Sequence, residues 1–256
     1  LIVLVVHSAT MSGAAEGYSF LFRPDFSKAF SVKTIVSAIG QAFFSLSIGL
    51  GCMIAYSSYF KEGTNLTGTS FSVSLMTFFV AMLSGMVIFP AVFSVKGLEP
   101  TAGPTLLFET LPFIFAEMPA PQLWSAIFFL LVALAALTST ISFHEVLTQY
   151  LQENHNVARK HAARFTTLAT VLLTLLCLRW EWFFGAFDAI TADVLMPVGG
   201  LLTAVFAGWV FDRKSFREQI SNYGTLPARL FPLLVFTLKW VAPILLSVVF
   251  VWNLIF

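Results

Sequence analysis

The sequence predicts an all-α protein that crosses a membrane several times, and three observations carry that expectation. Of the 256 residues 58% are hydrophobic and 11% charged, with a mean hydropathy of +0.87, whereas soluble chains carry roughly a quarter charged residues. Apolar stretches of about 20 residues or more, long enough to cross a hydrocarbon core roughly 30 Å thick, alternate with short segments that hold most of the charges. One of these stretches, 38–59, is interrupted: Gln41-Ala42-Phe43-Phe44 and Cys52-Met53-Ile54-Ala55-Tyr56 are helix-competent, but Ser45-Leu46-Ser47-Ile48-Gly49-Leu50-Gly51 between them is not. Hydrocarbon holds no water for free backbone groups, so an unwound segment at that depth is tolerated only where it is buried in protein or lines a cavity. Half-helix ends and loose carbonyls can hold a carboxylate and a cation together. The plainer reading of the same residues is a glycine-tolerant packing face with serines bonded back to their own helix.

Taken in order, residues 1–14 open on Leu1-Ile2-Val3-Leu4-Val5-Val6, too short to span and expected to be the end of a truncated helix. Residues 15–36 lie in a polar, irregular stretch with Gly13, Gly17, Pro24 and several charges, expected to be an external loop. The broken helix, 37–60, follows, then a short connection with Lys61, Glu62 and Gly63, and a span at 70–95. Over 96–122, Pro100, Pro104, Pro112, Pro119 and Pro121 cut an apolar sequence into pieces too short to cross, so two short helices lying over the protein are expected. A long helix at 123–152 carries Thr138-Ser139-Thr140 and Ser142 in its middle, and spans at 163–179, 182–210 and 230–254 complete a single transmembrane domain.

Lys61, Arg159, Lys160, Arg164, Arg213, Lys214, Arg217 and Arg229 fall on one side of these spans, and Arg23, Lys28, Lys33, Lys96 and Arg179 on the other, which makes the first side cytoplasmic. A net charge of +1 with no basic stripe excludes a nucleic-acid partner. Cys52 and Cys177 sit singly in apolar runs and read as small core residues. The chain has no nucleophile elbow, phosphate loop or metal motif, and His144-Glu145 lacks a third ligand at suitable spacing, so no enzyme is expected.

Gly40-Gln41-x-Phe43-Phe44-Ser45-Leu46-Ser47-x-Gly49-x-Gly51, followed by Tyr56-x-Ser58-Tyr59, resembles the sixth transmembrane helix of the neurotransmitter:sodium symporter family. The likeness continues through Ile88-Phe89-Pro90-Ala91, Gly103-Pro104, Leu137-Thr138-Ser139, Arg159-Lys160-His161-Ala162 and Phe187-Asp188, and so covers nearly the whole chain. It implies a LeuT-type inverted-repeat fold in which these residues form the second repeat plus one helix. It also places Leu1 in the fifth helix, so that the missing N-terminal half of the transporter becomes a partner, and it makes 96–122 a lid-like external loop.

For the sites, the resemblance implies sodium ligands at Ser45, Ala135 (through its carbonyl), Thr138 and Ser139. Thr77 stands where the family places an amide ligand, and Ala81 where a carboxylate or a chloride-binding serine is usual, so chloride is a further candidate ion. Taken singly, such hydroxyls more often bond their own helix. Phe44, Ser47, Leu50, Ser139 and Phe143 match the substrate pocket, and with no charge among them a neutral, fairly apolar amino acid is expected. Phenylalanines at such positions also serve plain core or lipid packing. Asp188, Glu153, Tyr59 and Gln41 match gate positions. Asp193 acquires no role, and Lys239 is expected to snorkel to an interface. The implied activity is sodium-coupled amino-acid symport by alternating access in the cell membrane, a bacterial inner membrane by type, with lipid as surroundings. A membrane scaffold or regulatory subunit of the same architecture is the alternative, motivated by Thr77 and Ala81.

Overall fold

The computed structural model describes residues 1–61, 63–94, 104–116, 118–224 and 231–255, and among these every regular element is helical. Leu66–Ser94, Pro121–His155, Arg159–Arg179, Trp182–Val210 and Phe231–Ile255 are long and apolar enough to cross a membrane. The stretch read as a broken helix consists of Val32–Ser45 and Cys52–Ser57, each too short to cross alone. Local chemistry sets several of the ends. Ser31 caps Val32–Ser45 by accepting from the Thr34 N–H at 3.2 Å, and Pro121, with its ring pre-set for helix and no N–H to lose, opens the long helix. Wide π-type turns interrupt Trp182–Val210 at Ile190–Leu195 and Phe206–Val210, and the last helix at Thr237–Val241.

The chain divides into two compact units, residues 1–29 with 72–138, and residues 30–71 with 139–256. In the first, Leu4, Met11, Val87, Ala91, Leu111, Ile114, Phe115 and Met118 form a buried cluster flanked by Trp124, Phe128 and Phe129. Part of the segment expected to be an irregular loop, 15–36, is helical here: Ala14–Phe22 and Phe26–Ala29 precede the capped helix at Val32. The reason is packing. Ala14 and Gly17 are buried, the Gly13 N–H donates to Ser94 Oγ at 2.8 Å, and the Phe20 ring lies 4.9 Å from Phe89 and 5.5 Å from Phe93. The polar residues mark the exposed face of a short helix, which to the sequence alone looks like a loop.

In the proline-rich region the described part holds one short helix, Pro104–Ala116, which tolerates Pro112 inside it and buries Leu111, Ile114 and Phe115; the stretch before Pro104, in which a second short helix is expected, lies outside the described residues. Gly103 of the Gly103-Pro104 turn, together with Lys96, Pro100, Glu62 and Arg229, lies outside the described residues.

The second unit is organised by Trp182–Val210, which contacts both the last helix and Val32–Ser45. The Arg213–Ile220 helix, capped by Asp212 through a 2.8 Å bond from the Ser215 N–H, separates those two long helices in sequence.

Candidate functional site at the helix break

The helix ends at Ser45 through a wide turn, the Ile48 N–H reaching back to the Phe43 carbonyl at 3.0 Å. The backbone then passes through three left-handed residues, Ser47 (φ 52°), Gly49 (φ 86°) and Gly51 (φ 80°), before helix resumes at Cys52. Left-handed backbone is inexpensive for glycine alone. Spending it here leaves the carbonyls of Leu46 to Leu50 with no hydrogen-bond donor among the described residues. They lie in half-buried backbone between two helix ends.

Glycine at 49 is also required sterically. A Cβ there would stand 2.4 Å from the Met196 carbonyl oxygen, and one on Gly199 would stand 2.2 Å from the Gly49 oxygen. The break therefore rests directly on the backbone of Met196-Pro197-Val198-Gly199-Gly200, with the Phe43 ring over Gly200. Nothing in the resemblance ties these residues to the site. Their signal is a small-residue pair within a span, the usual mark of close helix approach.

The second half of the broken helix runs beside the long helix Pro121–His155. Tyr56 OH bonds Ser142 Oγ, Tyr59 OH donates to Glu145, and Gln149 Nε2 donates to Ser58 Oγ at 3.5 Å. Ser142, Val146 and Gln149 thus share a stripe, and Ser139 lies on it one turn earlier. Of the residues matched to a substrate pocket, Ser139 lies on that stripe and Phe143 next to it, Phe44 stands in the last turn of Val32–Ser45, and Ser47 and Leu50 come from the break itself.

The other candidates are placed as follows. Gln41 Nε2 donates to Ser45 Oγ at 3.3 Å. The Thr138 hydroxyl donates to the Ala135 carbonyl at 2.7 Å, which sets two hard oxygens side by side on one turn. Thr77 bonds its own helix through the Val73 carbonyl at 2.9 Å. Asp188 is exposed and Asp193 accepts from Asn253 at 3.4 Å. Among the described residues no three of His, Cys, Asp and Glu gather, so the oxygens present are carbonyls and hydroxyls, donors suited to a hard cation.

Of the two carboxylates on the long helix, the one on the Tyr59 hydroxyl is Glu145, which also holds Arg159 at 2.9 Å, and Arg159 Nη1 approaches the same hydroxyl at 3.4 Å. Glu153 accepts from Gln149 at 2.9 Å, one link further from the tyrosine. In the sequence Glu145 stands out beside His144, as an incomplete metal pair. An acid three residues beyond Ser142 and four before Gln149, on the face carrying the polar side chains, is the sequence signal that marks it.

Residues 1–256 match the Sodium:neurotransmitter symporter family. Two relatives, an uncharacterized sodium-dependent transporter of Haemophilus influenzae and the uncharacterized sodium-dependent transporter YhdH of Bacillus subtilis, are each 33% identical over 99% of this chain, covering 57% and 58% of their own lengths. The crystal structure of MhsT in complex with L-phenylalanine superimposes with a TM-score of 0.87 at 33% identity, over 98% of this chain and 58% of MhsT. The chain thus spans somewhat more than half the length of the proteins it resembles. With a family match over its whole length and a fold shared with MhsT, this integral membrane chain belongs to the sodium:neurotransmitter symporter family.

Proposed function

We propose that this chain supplies one half of a sodium-coupled symporter for a neutral, fairly apolar amino acid. The observation that carries the reading is the break at Ser45 to Gly51, whose carbonyls from Leu46 to Leu50 have no donor among the described residues. Such carbonyls, next to the end of one half-helix and the start of another, suit an amino group and a cation.

Sodium is a hard ion that exchanges its water shell for several oxygens. Ser45 would supply a hydroxyl at the break, and the Ala135 carbonyl with the Thr138 and Ser139 hydroxyls would supply a second set, the Thr138 proton turning away from the Ala135 oxygen to free both for the ion. Thr77 would join the first set only by leaving its bond to Val73. Phe44, Leu50 and Phe143 would wall the substrate side chain, and the L-phenylalanine bound to MhsT supports an apolar occupant. Gln41, through its bond to Ser45, and Tyr59, Glu153 and Asp188 would serve as gates, with Glu145 and Arg159 holding Tyr59 in place. Neutral walls leave chloride as a second ion to be tested.

The test is uptake of labelled neutral amino acids by the full-length transporter in vesicles with an imposed sodium gradient. Uptake that collapses when sodium is replaced by choline supports coupling, and uptake indifferent to the replacement sinks it. The scaffold alternative, favoured by Ala81 and by the Thr77 bond to its own helix, predicts no sodium-dependent ligand binding at all.

A further inference from the structure

The last turn of Trp182–Val210 and the π-type turn of the last helix meet backbone to backbone, since a Cβ on Gly208 would stand 2.9 Å from the Leu238 oxygen and the Lys239 Cα. That approach fixes a cluster. Trp209 Nε1 donates to the Lys239 carbonyl at 3.1 Å, the Trp209 and Trp240 rings lie 5.1 Å apart, and the Lys239 ammonium stands 4.2 Å from the Trp209 ring centre and 5.9 Å from that of Trp240. No carboxylate pairs with Lys239 among the described residues. From this cluster an open groove of about 820 Å³ runs between the two helices, walled by side chains such as Ile244, Val248 and Val251, and among the described residues Lys239 is its one charged lining residue.

The level of the cluster is set by the chain. Immediately after Trp209-Val210 the backbone turns extended at Phe211 and enters the short helix Arg213–Ile220, with Arg213, Lys214 and Arg217 against Glu218. Trp209 and Lys239 therefore lie where a span gives way to a cation-rich surface, the depth at which tryptophans collect at a headgroup boundary. From Lys239 to Val251 the helix rises roughly 18 Å, a little more than the about 15 Å of hydrocarbon in one leaflet.

We propose that this groove is a binding site for an anionic phospholipid, with the phosphate on the Lys239 ammonium between Trp209 and Trp240 and one acyl chain along Ile244, Val248 and Val251. Basic positions between membrane helices on a cation-rich side are suited to anionic headgroups. A zwitterionic lipid would fill the groove equally well, but its own quaternary ammonium offsets the charge its phosphate offers the lysine. The site is separate from the helix break and does not depend on the transport reading.

Tryptophan fluorescence tests it. The protein is reconstituted in phosphatidylcholine, which is replaced stepwise by brominated phosphatidylglycerol or by brominated phosphatidylcholine. The Trp209→Phe, Trp240→Phe double variant identifies the groove signal against the other tryptophans. The expected result is half-maximal quenching of that signal at about fivefold less anionic than neutral brominated lipid, the preference one surface lysine supplies. Lys239→Gln should abolish the preference and Lys239→Arg should keep it. Val248→Phe, which fills the groove and keeps the lysine, should reduce quenching by the anionic lipid. Equal quenching by the two lipids, a preference that survives Lys239→Gln or is untouched by Val248→Phe, or no quenching by either lipid because protein covers the groove, would each overturn the proposal.

Discussion

Alanine substituted for glycine around the break should produce a graded series of stabilities, because four positions isolate different physical terms. At Gly40 a Cβ meets nothing within 4 Å inside an ordinary helix, so Gly40→Ala should be neutral or stabilising by up to about 1 kcal/mol. At Gly51 the backbone is left-handed but the nearest atom is the movable Val146 Cγ1 at 3.2 Å, leaving mainly the conformational cost of about 1–2 kcal/mol. At Gly199 the backbone is helical but the new methyl would strike the Gly49 oxygen at 2.2 Å, an overpacking cost of about 1–3 kcal/mol. Gly49→Ala combines a left-handed φ with a clash at 2.4 Å against the Met196 oxygen, so about 2–5 kcal/mol is expected. Fluorescence-monitored thermal unfolding in one detergent should order the variants Gly40→Ala, Gly51→Ala, Gly199→Ala, Gly49→Ala, from most to least stable. Gly49→Ala as stable as Gly51→Ala would mean that the break does not rest on Met196–Gly200, and the site geometry described above would be wrong.

Three further predictions follow from the same contacts. Thr138→Val keeps the side-chain shape and removes the hydroxyl, so in the full-length transporter the sodium concentration for half-maximal uptake should rise by about ten- to a hundredfold, the worth of one charge-assisted contact, while surface expression changes little; an unaltered sodium curve returns Thr138 to a packing role. A double-mutant cycle of Glu145→Gln and Arg159→Gln should give a coupling of about 0.5–1 kcal/mol, small because the Arg159 side chain is 59% exposed, and Tyr59→Phe should reduce it; no coupling means that the pair does not persist in solution. The Asp212 carboxyl is held below its ordinary range by the backbone N–H and the hydroxyl of Ser215. A lowered folded-state value contributes stability above the unfolded carboxyl value and loses it as pH falls through the lower one. Amide exchange in 213–217 should therefore be insensitive between pH 5 and 8, after correction for intrinsic rates, and should quicken only below about pH 4; Asp212→Ala should quicken it throughout, and equal protection in the two proteins would refute the cap.

The membrane class and the family were legible because both are written locally. Apolar length marks a span wherever it occurs, and the residues from Ser45 to Gly51 combine low helix propensity with two glycines in one short window. What escaped depends on partners far away in the chain. Ala14–Phe22 looks polar because its exposed face holds Glu16, and its helical state follows from Phe20 meeting Phe89 and Phe93. Pro104–Ala116 keeps Pro112 because Leu111, Ile114 and Phe115 are buried in a shared cluster. Likewise the partner of Tyr59 is decided by which turn of the long helix lies beside Ser57 and Ser58. A sequence reading can place Glu145 and Glu153 on one helix, but the two are more than two turns apart, and only the packing selects between them.

Polar groups in the spans fall into two physical kinds, and the division bears on which of them do work. Thr77, Ser84, Thr138, Thr166, Thr170 and Thr203 each donate to a carbonyl one turn back on their own helix. Such bonds satisfy the hydroxyl wherever the helix goes and say nothing about its neighbours. Tyr56 with Ser142, Tyr59 with Glu145 and Arg159, and Asn253 with Asp193 instead reach between helices, so they specify register and are lost if the helices slide. The carbonyls of Leu46 to Leu50 belong to neither kind. They come from backbone forced open by three left-handed residues and pinned there by contact with Met196 to Gly200, so they cannot relax into helix without breaking that contact. In hydrocarbon each unmatched carbonyl costs several kcal/mol. Five successive carbonyls held off the helical ladder in this way are open to a ligand, an ion or water, which is why the break, rather than any single hydroxyl, is where binding should be sought.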